Sequence, residues 1–172
     1  AFSLFGMLPY YIGGYIPSIT DAFFETMSGF TTTGATILDD IESLSHGMLF
    51  WRSLTQWIGG LGIVFFTIAI LPIFTTGGVQ LFSAETTGVT HDRTHPKINV
   101  MAKWLWTVYL ILTVSETILL MFGGMDLFDA ICQSFATTAT GGYSTKQNSI
   151  SYWNSPYIEY VVAIFMIISS IN

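Results

Sequence analysis

Two short stretches of this chain contain threonine and glycine in a similar order, 108 residues apart. They are Thr32-Thr33-Gly34-Ala35, which follows a segment beginning with Asp21-Ala22, and Thr140-Gly141-Gly142-Tyr143, which follows one beginning with Asp129-Ala130. Backbone carbonyls and threonine hydroxyls are dipoles that can replace the water around a monovalent cation without trapping it. Glycine lets successive carbonyls point the same way, because it adopts φ/ψ values that other residues avoid. The pattern predicts a cation site that was built at least twice.

The composition predicts an integral membrane protein. Of the 172 residues 51% are hydrophobic and only 9% are charged, whereas soluble domains carry about 25% charged residues. Residues 53–74 contain no charge and residues 104–125 contain only Glu116. Each stretch is long enough to cross the roughly 30 Å hydrocarbon core as a helix. The net charge of -6 argues against a nucleic-acid partner, and the single Cys132 rules out an intrachain disulfide.

Both Thr/Gly stretches follow a helix that is too short to span a membrane. We predict these helices at 21–30, with Thr20 or Asp21 as the cap, and at 126–139. Ten helical residues rise only about 15 Å, so the chain must turn back as non-helical backbone. Such backbone survives at membrane depth only inside protein or beside a wet cavity. The C-terminal end of each short helix carries roughly half a negative charge, which favours a cation beyond it.

The predicted fold class is therefore an all-α membrane protein of helix–pore loop–helix repeats with re-entrant half-helices. We assign residues 1–74 to a first repeat, 75–100 to a polar linker and 101–172 to a second repeat. Both terminal helices look truncated, so we expect an internal piece of a longer protein. In the long helix predicted at 49–73, Gly59, Gly60 and Gly62 would let another backbone pack close. The alternative is that these glycines make the helix locally weak and bent.

The basic residues predict the orientation of the chain. Arg93, Lys97 and Lys103 cluster on the linker side, whereas Arg52 and Lys146 lie on the side of the Thr/Gly stretches. This bias favours a cytoplasmic linker.

Two charged residues inside the predicted spans are accessory candidates. Glu116 is either a structural hydrogen-bond partner or a group near the permeation path. Arg52 pairs with a loop carboxylate, helps to hold a filter loop, or lies at the interface with its charge in water. Thr36 and Ser144 are expected near the outer mouth.

The histidines do not predict a transition-metal site. His91 and His95 are spaced as two ligands on one helix face would be, but residues 92–94 and Pro96 predict a polar loop there. An intramembrane enzyme would need a catalytic or metal-binding set within the spans, and Glu116 stands alone in them. We therefore expect no enzyme and no organic cofactor.

The Thr/Gly stretches resemble the selectivity filters of the Trk/Ktr/HKT superfamily of potassium transporters, specifically its bacterial TrkH branch. The resemblance covers nearly the whole chain, because two filters and the spans between them agree in order. The matching words are Phe30-Thr31-Thr32-Thr33-Gly34-Ala35-Thr36, Trp57-Ile58-Gly59-Gly60-Leu61-Gly62, Ser134-Phe135-Ala136-Thr137-Thr138-Ala139-Thr140-Gly141-Gly142 and Asn154-Ser155-Pro156-Tyr157-Ile158-Glu159.

The resemblance implies four repeats around one central pore, of which this chain would supply the first two. It implies that Gly34 and Gly142 go with potassium preference, and that serine in the first filter would admit sodium. It also implies a homodimer in the lipid bilayer of the bacterial inner membrane, gated by a cytosolic nucleotide-binding regulatory subunit. The implied K+ ligands are Thr32, Thr33, Gly34, Ala35, Thr140, Gly141, Gly142 and Tyr143.

Two other functional classes stay open. A secondary transporter or sodium/potassium symporter could also use re-entrant loops, although the two repeats here run the same way rather than inverted. A non-conducting structural membrane fragment would leave the twin stretches unexplained.

Overall fold

The computed structural model describes the backbone of residues 2–62 and 95–170, and the side chains of 3–62 and 103–170. These ranges are helical and contain no strand. The helices are α1 (Phe2–Gly6), α2 (Leu8–Ile12), α3 (Ile19–Phe30), α4 (46–62), α5 (His95–Phe122), α6 (Leu127–Thr138), a 3-10 helix (Ser149–Trp153) and α7 (Pro156–Ser170). Most of the predicted linker, 75–94, and the predicted end of the first long helix lie outside the described residues.

The two predicted half-helices are both present. Helices α3 and α6 each have 12 residues and stand 108 residues apart at both ends. Each rises about 18 Å, which is too short for a span. The predicted cap of α3 is wrong, because Thr20 and Asp21 lie inside its first turn and Ser18, in extended backbone, accepts the Asp21 N–H. Asp126 caps α6 in the equivalent position.

Helix α5 begins earlier than predicted. It starts at His95, six residues before the predicted span at 101–122, and Pro96 occupies its first turn. Proline is compatible with that position because the N–H it lacks would have no helical partner there. Lys103–Phe122 is the one helix in the described ranges that is long and apolar enough to cross a membrane. Of the two histidines that were rejected as a metal pair, His95 lies at this boundary and His91 lies outside the described residues.

Helix α4 packs against the ends of both half-helices. A Cβ on Gly59 would overlap the carbonyl oxygen of Phe30 at the end of α3. A Cβ on Gly60 would lie 3.2 Å from the Cα of Ala139 at the end of α6. The prediction of close backbone packing is confirmed for Gly59 and Gly60 and is wrong for Gly62, which has no atom of the described residues within 4 Å of a Cβ built there. The contact matters because α3 and α6 each end where a Thr/Gly stretch begins.

Each half-helix also contributes to an apolar core of its own repeat. In the first repeat, Ala22 of α3 clusters with Tyr10 of α2 and Leu49 of α4. In the second, Ala130 of α6 clusters with residues of α5 and α7. Each half-helix thus packs one side against other helices of the chain.

Candidate cation site

Both half-helices end in the same hydrogen-bond pattern. The first two residues beyond each C-terminal cap donate their N–H groups back to the last turn, which is a Schellman motif. The bonds are Thr32 to Gly29 and Thr33 to Ser28, 3.0 Å each, and Thr140 to Thr137 and Gly141 to Ala136, 2.9 and 2.8 Å. Two carbonyls in the last turn of each helix are therefore occupied, and the chain leaves both helices along the same path.

The backbone beyond the caps is left-handed at equivalent positions. Thr32 and Thr140 have φ of 53° and 54°, and Gly34 and Gly142 have φ of 77° and 82°. Threonine in this region costs about 1 kcal/mol, and such strain persists only where the surrounding structure imposes it. Left-handed residues that alternate with ordinary ones turn successive peptide groups the same way. The two bends therefore present their oxygens in a similar arrangement.

The carbonyl oxygens of the bends have no hydrogen-bond donor among the residues that the structure describes. An unpaired acceptor at membrane depth needs another partner. The six oxygens belong to Thr32, Thr33, Gly34, Thr140, Gly141 and Gly142. Ala35 differs from the prediction, because its carbonyl accepts the Ser28 hydroxyl at 2.6 Å and the Tyr143 hydroxyl at 3.3 Å.

The two bends are in direct contact. A Cβ on Gly34 would overlap the carbonyl oxygen of Gly141 and would lie 3.8 Å from the Cα of Gly142. Gly34 is therefore required by its φ and by the closeness of the second bend. Gly142 has open space around its Cα, with no atom within 4 Å of a Cβ built there.

Gln56, on α4, supports the second bend from behind. Its side-chain oxygen accepts the Tyr143 N–H at 3.2 Å, and a Cβ on Gly141 would overlap its amide group. Both Gln56 and Tyr143 are buried. Gln56 is not among the predicted site residues, although a polar residue in a predicted span was a signal that could have identified it.

Arg52 lies in the protein interior rather than at the membrane interface. Its side chain is 2% exposed, and its Nε donates to Glu25 Oε1 at 2.8 Å. Interfacial placement is therefore wrong, and the carboxylate that Arg52 pairs with lies in α3 and not in a loop as predicted. Its partner Glu25 was not selected as a site residue. A carboxylate in a half-helix at membrane depth was the signal that was missed.

The remaining accessory candidates lie apart or serve other contacts. Thr36 donates its hydroxyl to Glu25, and the Ser144 carbonyl accepts from Arg52 at 3.1 Å. Glu116 is fully buried in α5, and within the described ranges neither carboxylate oxygen makes a hydrogen bond of good geometry, although the side chain of Thr137 in α6 interacts with it. The carbonyl of Thr137 accepts the Thr140 N–H, so Glu116 lies beside the end of α6 that leads into the second bend. No cluster of three His, Cys, Asp or Glu suited to a metal ion occurs among the residues that were described.

The sequence matches the TrkH family, described as a cation transport protein, over residues 2–172. This chain belongs to the TrkH family. Among its relatives, the Trk system potassium uptake protein TrkH of Escherichia coli K12 is 52% identical over 90% of this chain and 32% of its own length. The TrkH protein of Halomonas elongata is 43% identical over 98% of this chain and 36% of its own length. The chain spans about a third of the relatives it matches.

A solved TrkH-family structure has the same fold. The crystal structure of the potassium transporter TrkH from Vibrio parahaemolyticus matches all of this chain, with a TM-score of 0.83 and 39% identity, and the match covers 34% of that protein. The predicted fold class, an all-helical membrane protein with pore-loop repeats, is confirmed by this match and by the helical structure described above. Family membership also confirms the predicted resemblance to TrkH.

Proposed function

We propose that this chain forms part of the path by which a TrkH-family protein takes up potassium. The observation that carries the proposal is the pair of adjoining bends, each left-handed at equivalent positions and each with unpaired carbonyl oxygens. The relatives are named as potassium uptake proteins, which supports K+ as the transported ion. The role proposed is transport and not catalysis.

The bends would act by replacing part of the hydration shell of K+. Carbonyl dipoles from Thr32–Gly34 and Thr140–Gly142 attract a cation without a full countercharge, so the ion can bind and leave. Both half-helices end at the bends, and the negative ends of their dipoles add to the attraction. Tyr143 follows the second bend at the exit of the proposed filter, whereas the carbonyl of Ala35 is occupied by the Ser28 and Tyr143 hydroxyls and is not assigned to K+. Anions are disfavoured by the same fields.

The rest of the molecule is assigned on the same basis. Residues 1–74 and 101–172 form two of the pore repeats of a longer protein, joined by a cytoplasmic linker at 75–100. The complete protein is a homodimer in the bacterial inner membrane, and a cytosolic nucleotide-binding subunit regulates it. The linker is the segment to test for contact with that subunit. These assignments follow from the family resemblance and from the distribution of basic residues.

Gly34→Ser tests the filter assignment. We expect the K+/Na+ uptake ratio to fall about tenfold or more, because the new Cβ must displace the Gly141 carbonyl and small displacements of ligands have large effects. The measurement is K+ and Na+ uptake by cells that lack their own potassium uptake systems and express the complete protein.

Gly14→Ser is the matched control. Gly14 also has a positive φ, 72°, and no atom lies within 4 Å of a Cβ built there. The backbone cost of about 1 kcal/mol is therefore similar, but no bend is touched, and the uptake ratio should equal that of the wild type. An unchanged ratio in Gly34→Ser would contradict the filter assignment.

A further inference from the structure

A buried ion pair lies behind the two bends and contacts both of them. Arg52 on α4 is 2% exposed and Glu25 on α3 is fully buried, and their Nε and Oε1 atoms are 2.8 Å apart. Burying two charges is costly unless each is paired and its remaining donors or acceptors are satisfied. The partners that satisfy this pair come from the segments that follow the two filter glycines.

Glu25 holds the exit of the first bend. Its carboxylate accepts the Thr36 hydroxyl at 2.9 Å and the Ile37 N–H at 3.1 Å, in addition to Arg52. These two donors are the second and third residues after Gly34 in the chain. The carboxylate therefore determines where the first bend leaves the filter.

Arg52 holds the exit of the second bend. One terminal nitrogen donates to the Ser144 carbonyl at 3.1 Å, and the guanidinium lies 3.7 Å from the centre of the Tyr143 ring. The Tyr143 hydroxyl in turn donates to the Glu25 carbonyl at 3.0 Å and to the Ala35 carbonyl at 3.3 Å. These contacts form a closed network that links the first bend, the ion pair and the second bend.

The ion pair is not part of the duplicated design. At the positions 108 residues further on, Glu25 is replaced by Gln133 and Arg52 by Tyr160. Tyr160 is 72% exposed, and the side-chain oxygen of Gln133 has no hydrogen-bond partner in the part of the chain that the structure describes. The second repeat therefore has its own bend but no equivalent ion pair. The two charges therefore lie at the junction between the bends and not within either bend.

We infer that Arg52 and Glu25 are positioning residues that keep the two bends in register and so set the cation preference of the site. The inference rests on the proposed function. Neither charge needs to touch the ion, because each acts through the exit of one bend: Glu25 through Thr36 and Arg52 through Ser144. A shift at either exit changes the distances between the carbonyl oxygens of the two bends, on which discrimination between K+ and Na+ depends.

Thr36→Val tests the inference while leaving the ion pair intact. Valine has the shape of threonine but cannot donate to Glu25, which keeps its bonds to Arg52 and Ile37. We expect KM for K+ to rise and the K+/Na+ uptake ratio to fall, each about tenfold, at unchanged protein amount in the membrane. Thr36→Ser keeps the hydroxyl and should restore both values. Thr107→Val is the matched control, since the hydroxyl of Thr107 donates only within its own helix, to Lys103.

Arg52→Lys tests the part of this network that holds the second bend. Lysine keeps a positive charge for Glu25 but lacks the planar fork that also reaches Ser144 and stacks on Tyr143. We expect the same change in KM and in the uptake ratio as for Thr36→Val. If the Arg52→Lys protein is not recovered in membranes, Thr36→Val decides alone.

The outcomes separate this inference from the proposed function. If the wild type takes up K+ selectively and Thr36→Val has the same KM and uptake ratio, the positioning role is overturned and the transport function stands. A loss of maximal rate that only follows protein amount would likewise overturn it, since that is the effect of a purely structural contact. If the wild type itself shows no preference for K+, the proposed function and the positioning role are both contradicted.

Discussion

Glu25 and Glu116 are both buried glutamates, but the groups around their carboxylates differ. Both side chains are fully buried. Glu25 has a guanidinium and two further donors, whereas in the described residues neither oxygen of Glu116 has a hydrogen-bond partner. An ionised carboxylate without partners is costly at membrane depth. The same change, glutamate to glutamine, should therefore have opposite effects at the two positions.

We predict that Glu25→Gln lowers the free energy of unfolding by about 3–5 kcal/mol, because it leaves the charge of Arg52 buried without a countercharge. Glu116→Gln should change it by no more than about 1 kcal/mol or raise it, since a neutral amide costs less to bury than an unpaired carboxylate. Thermal unfolding of both proteins in detergent, with their amounts in the membrane, provides the comparison. Equal losses in the two variants would contradict the assignment of roles.

At the scale of elements, α4 determines how close the two half-helices come. It supplies Arg52 and Gln56 to the bends, and its glycines contact the ends of α3 and α6. Gly59 is the tightest of these contacts, because a methyl group there would collide with backbone and not with a flexible side chain. Gly62, three residues on, has no atom within 4 Å of a Cβ built there.

Gly59→Ala should therefore destabilise the protein by about 1–3 kcal/mol, since the end of α3 must move to admit the methyl group. The displacement should also lower the K+/Na+ uptake ratio. Gly62→Ala, the same change in the same helix, should be neutral or stabilise by up to about 1 kcal/mol through helix propensity. Thermal unfolding and uptake of the two variants check this. A loss in Gly62→Ala as large as that in Gly59→Ala would show that the helix needs glycine for another reason.

At the scale of the whole molecule, the bends and the linker should face opposite sides of the membrane. The loops beyond the two bends meet each other, because Gln147 donates to the Asp39 carbonyl at 2.9 Å and accepts the Ile41 N–H at 3.1 Å. Both bends therefore open toward one face. The basic residues favour the other face as the cytoplasmic side.

A cysteine at Asn148, which is exposed beside the second bend, should react with an impermeant maleimide in intact cells. A cysteine at Thr87, in the predicted linker, should react only after the cells are permeabilised. The native Cys132 is 1% exposed and should give little background. Reaction of the Thr87 cysteine in intact cells would contradict the predicted orientation and indicate the opposite one.

Local features of the sequence were sufficient to predict much of the fold. Two apolar stretches, two short helices and two Thr/Gly stretches in the same order predicted the repeats, and α3 and α6 have the predicted type and nearly the predicted length. The reason is that helix length, hydropathy and the need for glycine at a left-handed position are properties of neighbouring residues. Helix ends were less well predicted, as at Ser18 and His95, because several nearby residues can cap or start a helix.

The tertiary structure alone decided how the bends are held. Arg52 and Ser144 are 92 residues apart in the chain, and Tyr143 reaches an atom 118 residues away. The residues next to Arg52 and Tyr143 in the chain do not identify these partners, because from the sequence the side chain of Arg52 could equally have reached water. Burial against α3 and the second bend removes that alternative, and a charge removed from water must be paired. The sequence therefore determined that two equivalent Thr/Gly bends exist, and the packing of α4 against them determined how they are joined.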